Sequence, residues 1–489
     1  MNAVPASSDR PPFLARNLID GAWSDAASGK AIDARNPSTY ALVGSAPDSD
    51  VVDVDRAVNA ARQSFESGAW RNLTPAMRAR ILYKIATLIE QRAAEIAELE
   101  TRDNGMPITL ATALVNSGAE TFRYFAGWCT KIRGETTDIS APGEFHVYSL
   151  REPAGVAALI VPWNVPFIMA CNKVATSLAA GCSVVLKPAE ETPLTAALLG
   201  QIVMEAGVPA GVFNIIYGRG DVAGAALAAH ADVDKISFTG STAVGRKIVI
   251  AAAGNLKRVS LELGGKSPVI VFPDADLDKA AAGIARGVFT NSGQACIAGS
   301  RVFVHRDIQK ELALRLAAIA GQMKVGDGFE AGVNLGPLIS QRQLDRVDSL
   351  VAEGLRDGAE VITGGSRPDR DGYFFQPTIL TAPRAGSRML REEIFGPVAN
   401  LLPFTDTAEV LRQANDTEYG LAAAIWTRDI GTAHRMAKKI KAGTVWLNCQ
   451  LIADRSMPFG GYKQSGWGRE NGLEGLDAFL QSKSVFAAL

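Results

Sequence analysis

The chain is short of the features that mark several classes of partner. Its 489 residues carry 50 Lys+Arg against 51 Asp+Glu, a formal net charge of −1, so there is no one-signed field for a nucleic acid or an anionic membrane. The five cysteines, Cys129, Cys171, Cys182, Cys296 and Cys449, follow no paired spacing, which excludes a disulfide scaffold and fits a reducing compartment. Four of them are expected to be packing residues. Histidine is scarce: His146, His230, His305 and His434 are the only four, and none sits in a motif. A Cys-His hydrolase therefore has weak support, and no metal site is expected. The N-terminal stretch MNAVPASSDRPPFLARN lacks an apolar signal core, so a cytoplasmic location is expected. One run, Pro153 to Asn172, is free of charge and long enough to span a bilayer. Pro162, Asn164 and Pro166 in its middle would break a membrane helix, and a buried strand, a loop and a helix start are expected instead.

What is present is a globular composition, with 47% apolar and 21% charged residues and length for two to four domains. The spacing predicts one long helix from Thr74 to Gly105, with Thr74 as cap, Pro75 in the first turn and a terminal glycine. Beyond Pro153, short apolar runs (Val156 to Val161, Ser183 to Leu186, Val212 to Tyr217, Lys235 to Phe238, Val259 to Leu263) alternate with helical stretches. Continuously apolar strands imply a parallel sheet covered on both faces, hence a doubly wound α/β domain. A second α/β series starts near Ser267 and runs to about Gly461, with no linker between the two. Asp138 to Pro153 is expected as a hairpin and Ser482 to Phe486 as a lone strand that pairs with another subunit's hairpin.

Cys296 lies in FTNSGQACIAGSR among small residues that let backbone and ligand come close. Glu262 alternates with leucines in VSLELGGKSP, and a buried carboxylate there needs a partner or a proton-accepting role. Asn164 stands between prolines in VPWNVPF, where a rigid amide can donate to a developing oxyanion. Each alone has an ordinary alternative: a packed thiol, an outward-facing acid, a turn asparagine. Two glycine turns compete for a cofactor. Gly218, Gly220 and Ala223 in YGRGDVAG fit the formal dinucleotide fingerprint but lack a well-placed acid about 20 residues on. In FTGSTAVG, Gly240 and Gly245 bracket Ser241, where a helix start would offer free N–H groups to a pyrophosphate. Lys187 and Glu190 in KPAEETP could hold a ribose, and a carboxylate there disfavours a 2′-phosphate and tilts the choice from NADP to NAD.

Seven motifs, VPWNVPF, LKPAEETP, FTGSTAVG, LELGGKSP, GQACIAGSR, EEIFGP and MPFGGYKQSGWGRENG, occur in one order across nearly the whole chain, which thereby resembles the NAD(P)-dependent aldehyde dehydrogenase superfamily. The resemblance implies an aldehyde-dehydrogenase-like α/β fold: a nucleotide-binding domain over 1–134 and 154–263, a catalytic domain over 264–464, and a small β oligomerisation element over 135–153 and 465–489. It implies oxidation of a small-molecule aldehyde to a carboxylic acid by a homodimer or homotetramer. Cys296 would be the nucleophile, Asn164 and the Cys296 N–H the oxyanion donors, and Glu262 the base that activates the deacylating water. Lys173 and Glu470 match positions linked to a proton path. The Ser241 helix start, with Gly240 and Gly245, would take the pyrophosphate, and Gly220 would approach the adenine. Lys187 and Glu190 would hold the adenosine ribose and Glu393 the nicotinamide ribose, with Trp163, Leu263 and Phe395 also against the cofactor. Glu262 implies hydrolysis over acyl transfer to CoA.

The substrate pocket is implied at Val165, Met169, Asn172, Ala453 and Phe459. Val165, Asn172 and Ala453 stand where many relatives carry aromatic rings, so a wider entrance for bulky or aromatic aldehydes is expected. A lining poor in aromatics argues against a quaternary-ammonium substrate. Gln450, Asp454 and Arg455 are expected near the mouth. A cysteine esterase or amidase, and a non-catalytic nucleotide-binding relative, remain the alternatives.

Overall fold

The computed structural model describes residues 11–489, so most of the N-terminal stretch judged above, residues 1–10, lies outside the described residues. Two α/β layers dominate. In the first, five parallel strands are ordered Arg258–Glu262, Lys235–Thr239, Val156–Ile160, Ser183–Lys187 and Phe213–Ile215. Antiparallel additions close both edges: Gly466–Trp467 beside Arg258–Glu262, and Asn17–Ile19 followed by Ala22–Ser24 beyond Phe213–Ile215. The continuous apolar runs follow from two-sided burial. Ala157, Leu159, Val184 and Leu186 enter one core, whereas Val156, Ala158, Ile160 and Val185 enter another on the opposite face.

Chain order reverses at Val156–Ile160: the sheet runs outward through Ser183–Lys187 on one side and through Lys235–Thr239 on the other. Such a switch point leaves a crevice beyond the carboxyl ends of the two diverging strands, the usual ligand site of open parallel sheets. The uncharged run resolves as expected into the Val156–Ile160 strand, a loop and the Pro166–Ala180 helix. Pro166 opens that helix and Gly181 ends it in the left-handed region at φ 97°. Among the described residues no helix is long and apolar enough to cross a membrane.

The second layer has six parallel strands, Thr378–Thr381, Val398–Phe404, Arg301–His305, Pro268–Val271, Ala422–Trp426 and Thr444–Leu447, plus an antiparallel edge, Val361–Thr363. It too is buried on both faces, Val269 and Val302 to one side and Ile270 and Phe303 to the other.

Three expectations are corrected. The single helix from Thr74 to Gly105 is two, Pro75–Gln91 and Ala93–Asn104, because Arg92 leaves helical geometry at ψ 12°. The cap at Thr74, which accepts from the Met77 N–H, and the terminal Gly105 at φ 87° stand as expected. The Asp138–Pro153 hairpin is one strand, Phe145–Pro153, with a lone Thr136–Tyr148 bridge. The last strand does not wait for another subunit: Leu480–Ala488 pairs antiparallel with Phe145–Pro153 of the same chain along its whole length. The Gly472–Asp477 helix, packed on the Pro166–Ala180 helix, delivers it there. Within 465–489, Gly466 and Trp467 belong to the first sheet and only the terminal strand to the ribbon.

Candidate active site

A cavity of about 440 Å³ opens at the switch point. Val156–Ile160 feeds it Pro162, Trp163 and Asn164; Lys235–Thr239 feeds it Gly240 and Ser241; Arg258–Glu262 ends in it with Glu262 and Leu263. The second layer supplies Cys296, Glu393 and Phe395. Residues far apart in sequence thus meet where two sheets present their strand ends.

Cys296 is partly open to the cavity yet otherwise enclosed by protein. Burial, and then the Glu393 and Glu262 carboxylates, push its thiol well above the ordinary range. It therefore stays protonated at neutral pH, and a base must remove its proton before it can attack. Glu262 is 4% exposed and its Oε2 has no hydrogen-bond partner. Burial, reinforced by Glu470, raises its carboxyl well above normal, while Lys173 and Arg469 oppose the shift. A carboxylate without donors beside a thiol is suited to exchanging protons with it or with water. The two glycines after Leu263 explain the tight fit. A Cβ at Gly264 would stand 2.5 Å from the Glu393 carboxylate, and one at Gly265 would stand 2.3 Å from the Cys296 carbonyl.

Asn164 is 8% exposed. Its Nδ2 donates to the Gln294 carbonyl at 2.9 Å, which ties the amide to the loop that carries Cys296 and leaves its second N–H for a ligand. Lys173 donates to Ser237 Oγ at 2.8 Å and forms an ion pair with Glu470. These three line a small internal pocket with Asn172, Ser260 and Arg469, beside Glu262 and outside the main cavity.

The Ser241 turn meets the requirements of a phosphate cradle. Ser241 caps the Thr242–Ala252 helix, accepting from the Val244 N–H at 3.3 Å, and lines the cavity. Its neighbour Thr239 also lines it and has a buried hydroxyl with no partner. The helix's free N–H groups, an orphaned hydroxyl and the enclosed volume fit a dinucleotide. Gly245 lies just behind, where a Cβ would come within 2.7 Å of Leu263. Glu393 accepts from the Gly265 N–H at 2.9 Å, and burial pushes its carboxyl up to about 7. Phe395, at φ 57°, meets Trp163 edge to face with centroids 5.2 Å apart.

Other expected residues stand apart. Gly220 opens one π-helical turn, Gly220–Gly224, and donates its N–H to Glu190 at 3.2 Å; neither lines the cavity. Lys187, 2% exposed, donates to the Pro188 carbonyl at 2.9 Å and lies 3.5 Å from Glu190, with burial lowering its pKa. Of the substrate set, Val165, Met169, Asn172, Ala453 and Phe459 line no part of this cavity. Val165 and Met169 pack against the helical core, Asn172 accepts from Thr121 Oγ1 at 3.1 Å, Ala453 is exposed, and Phe459 pairs through its backbone with Glu470. Gln450 is corrected: it is 1% exposed, packed against Gly287 and Gly299, and therefore not at a mouth. Arg455 donates to Ser117 Oγ at 2.6 Å, and Asp454 caps the Ser456 N–H. None of the four histidines lines the cavity, which deprives a Cys-His esterase of its base.

Several lining residues lie outside every motif of the sequence: Arg342, Gln343, Arg346 and Tyr419. Gln343 holds the Phe395 carbonyl at 2.8 Å and Arg346 the Glu393 carbonyl at 2.9 Å. Their helix, Gln341–Arg356, has an ordinary amphipathic pattern, and only the fold brings its polar first turns to the cleft.

The family model for the aldehyde dehydrogenase family matches residues 23–485, and the chain belongs to that family. It is 47% identical over 472 residues to the putative aldehyde dehydrogenase DhaS of Bacillus subtilis, covering 96% of this chain and 95% of that protein. It is 46% identical to the phenylacetaldehyde dehydrogenase of Pseudomonas fluorescens, over 96% of this chain and 95% of that one. The NAD+ complex of aldehyde dehydrogenase from Bacillus cereus superposes with a TM-score of 0.95 at 44% identity, covering 98% of this chain and 97% of that one. The family, the α/β fold class and the enzyme class expected from the sequence are borne out.

Proposed function

We propose that this chain oxidises an aldehyde to a carboxylic acid with NAD through a covalent cysteine adduct. One observation carries the reading: Cys296, Glu262 and Asn164 share a cavity with the Ser241 helix start at the switch point of the first sheet. The first layer is taken as the nucleotide-binding domain, the second as the catalytic domain, and the ribbon as the oligomerisation element.

NAD, held at the Ser241 turn and by Glu393, with Lys187 and Glu190 at its adenosine ribose, supplies the two-electron acceptor when bound. Cys296 gives up its thiol proton to water in the cavity, and its sulfur forms a bond to the aldehyde carbon. The oxygen of the thiohemiacetal accepts from the free N–H of Asn164 and from the Cys296 backbone, which stabilises its negative charge. Oxidation of the adduct leaves a thioester on Cys296. Glu262 then takes a proton from water, whose oxygen attacks the thioester; the C–S bond breaks, the thiol regains a proton and the acid leaves. Lys173 and Glu470 pass the proton on from Glu262.

The Glu190 carboxylate favours NAD over NADP. A bulky or aromatic aldehyde is favoured by the likeness to the phenylacetaldehyde dehydrogenase of Pseudomonas fluorescens. A homodimer or homotetramer is favoured by the terminal ribbon, which is only two strands wide and exposes Phe145, Leu150 and Phe486. The test is NADH formation from NAD with aliphatic and aromatic aldehydes, NADP being tried in parallel. Turnover with arylaldehydes is expected, and a flat trace across the panel would sink the reading.

A further inference from the structure

The Asn164 amide works only if it is held still, and the groups that hold it are unusual. Its backbone carbonyl accepts from the Asn291 side chain at 2.7 Å and from the Asn104 side chain at 3.4 Å. Asn104 also donates to the preceding Trp163 carbonyl at 2.8 Å. Both asparagines are buried, Asn104 at 1% exposure and Asn291 at 5%. They come from opposite sides: Asn104 ends the Ala93–Asn104 helix, and Asn291 lies on the loop that leads to Cys296.

The loop is strained where it makes this contact. Asn291 and Ser292 lie consecutively in the left-handed region, at φ 53° and 54°, which costs side-chain-bearing residues free energy and persists where the surroundings enforce it. The surroundings do enforce it. Ser292 Oγ donates to the Gly336 carbonyl at 2.7 Å, and Gln294 accepts from the Ile339 N–H at 2.9 Å. A Cβ on the next residue, Gly293, would stand 2.0 Å from the Gly396 carbonyl oxygen. On the other flank, Glu100 accepts from the Phe167 N–H at 3.2 Å and fixes the far end of the same turn.

We propose that Asn291 and Asn104 are positioning residues that clamp the Asn164 carbonyl from the two layers and thereby fix the distance from the Asn164 amide to the Cys296 sulfur. The proposal rests on the reading of Asn164 as an oxyanion donor. Asn291 is the more telling member: its side chain spans from the Cys296 loop to the Asn164 turn, so one contact sets the register of nucleophile and donor. A displacement of about 1 Å at such a donor is enough to cost on the order of 100-fold in rate.

The test uses Asn291→Gly and Asn104→Ala, with Asn214→Ala as control. Glycine adopts the left-handed backbone at no steric cost, so Asn291→Gly removes the clamp while relieving strain and should fold. Asn214 is a fully buried asparagine that donates to the Val184 and Gly211 carbonyls, away from the turn. Its loss should lower the melting temperature without touching the site. The readout is the pre-steady-state burst of NADH at saturating NAD and aldehyde, with KM and melting temperature recorded for each protein. Asn291→Gly and Asn104→Ala should slow the burst by roughly 10- to 100-fold while the aldehyde KM stays within about threefold; Asn214→Ala should keep the wild-type burst. Variants with a full burst beside an active wild type would overturn this proposal alone, as would a burst that simply follows melting temperature across all three. A wild-type chain that forms no NADH in a first turnover would remove the oxyanion reading and this one with it.

Discussion

Two pairs of carboxyls in this molecule are shifted upward by burial, and their surroundings differ. Glu262 and Glu393 line the cavity with Cys296. Glu100 and Asp103 are fully buried on the Ala93–Asn104 helix and line no part of it. Burial raises all four. The difference lies in their partners. Glu100 accepts from the Phe167 N–H at the start of the Pro166–Ala180 helix, and Asp103 from the Leu194 N–H at the start of the Leu194–Ala206 helix. Both are helix caps supplied from a distance. Glu262 accepts no N–H and faces an open cleft with a thiol in it. A raised carboxyl therefore marks chemistry here only where it also meets a ligand-sized space and a nucleophile.

The contrast should be largest in turnover. Glu262→Gln keeps the shape and removes the base, so steady-state oxidation should fall about 100- to 1,000-fold while the NADH burst persists and the melting temperature stays within a few degrees. Loss of the burst itself would assign Glu262 to the first half-reaction alone.

The next effect is in stability against pH. The Glu100 carboxyl rises from an ordinary 4.5 to about 7 on folding, so the folded chain binds this proton more tightly than the unfolded one. Its contribution is full below about pH 4.5 and is lost as pH rises through 7, a change of roughly 3 kcal/mol. Urea midpoints between pH 5 and 8 should show this slope in the wild type and a flatter one in Glu100→Gln. Deacylation should run the opposite way, rising with pH as Glu262 ionises.

Asp103→Leu should leave the Leu194 N–H unpaired and lower unfolding free energy by about 2 kcal/mol, with kcat/KM for aldehyde within twofold of wild type. A collapse of kcat/KM at full stability would erase the distinction between caps and catalytic acids. The smallest effect is expected at Glu190, which is half-buried outside the cavity: Glu190→Gln should weaken NAD binding about fivefold and narrow its lead over NADP, as measured by titrating protein fluorescence.

Much of this was legible in the chain itself. The alternating burial of Val156–Ile160 and Ser183–Lys187 is written as unbroken apolar runs, and the Thr74 cap and Gly105 stop follow from local chemistry. Cys296, Glu262 and Asn164 were nameable because each pairs a reactive group with a motif. The break at Arg92 was hidden, since nothing in its residue type opposes a helix. The pairing of Leu480–Ala488 with Phe145–Pro153 was missed because strand partners far apart in sequence leave no local trace. Gln450 was misplaced for a related reason: its loop is polar, but the amide turns inward between Gly287 and Gly299. Asn291 and Asn104 carry no motif of their own and are recognised only through the carbonyl they share.

The most direct test is the intact mass of Glu262→Gln after incubation with NAD and an arylaldehyde, followed by peptide mapping. A single acyl group on Cys296, formed only when both reagents are present, is the predicted result. An unmodified protein, or acyl label on Cys129, Cys171, Cys182 or Cys449 in its place, would contradict the account.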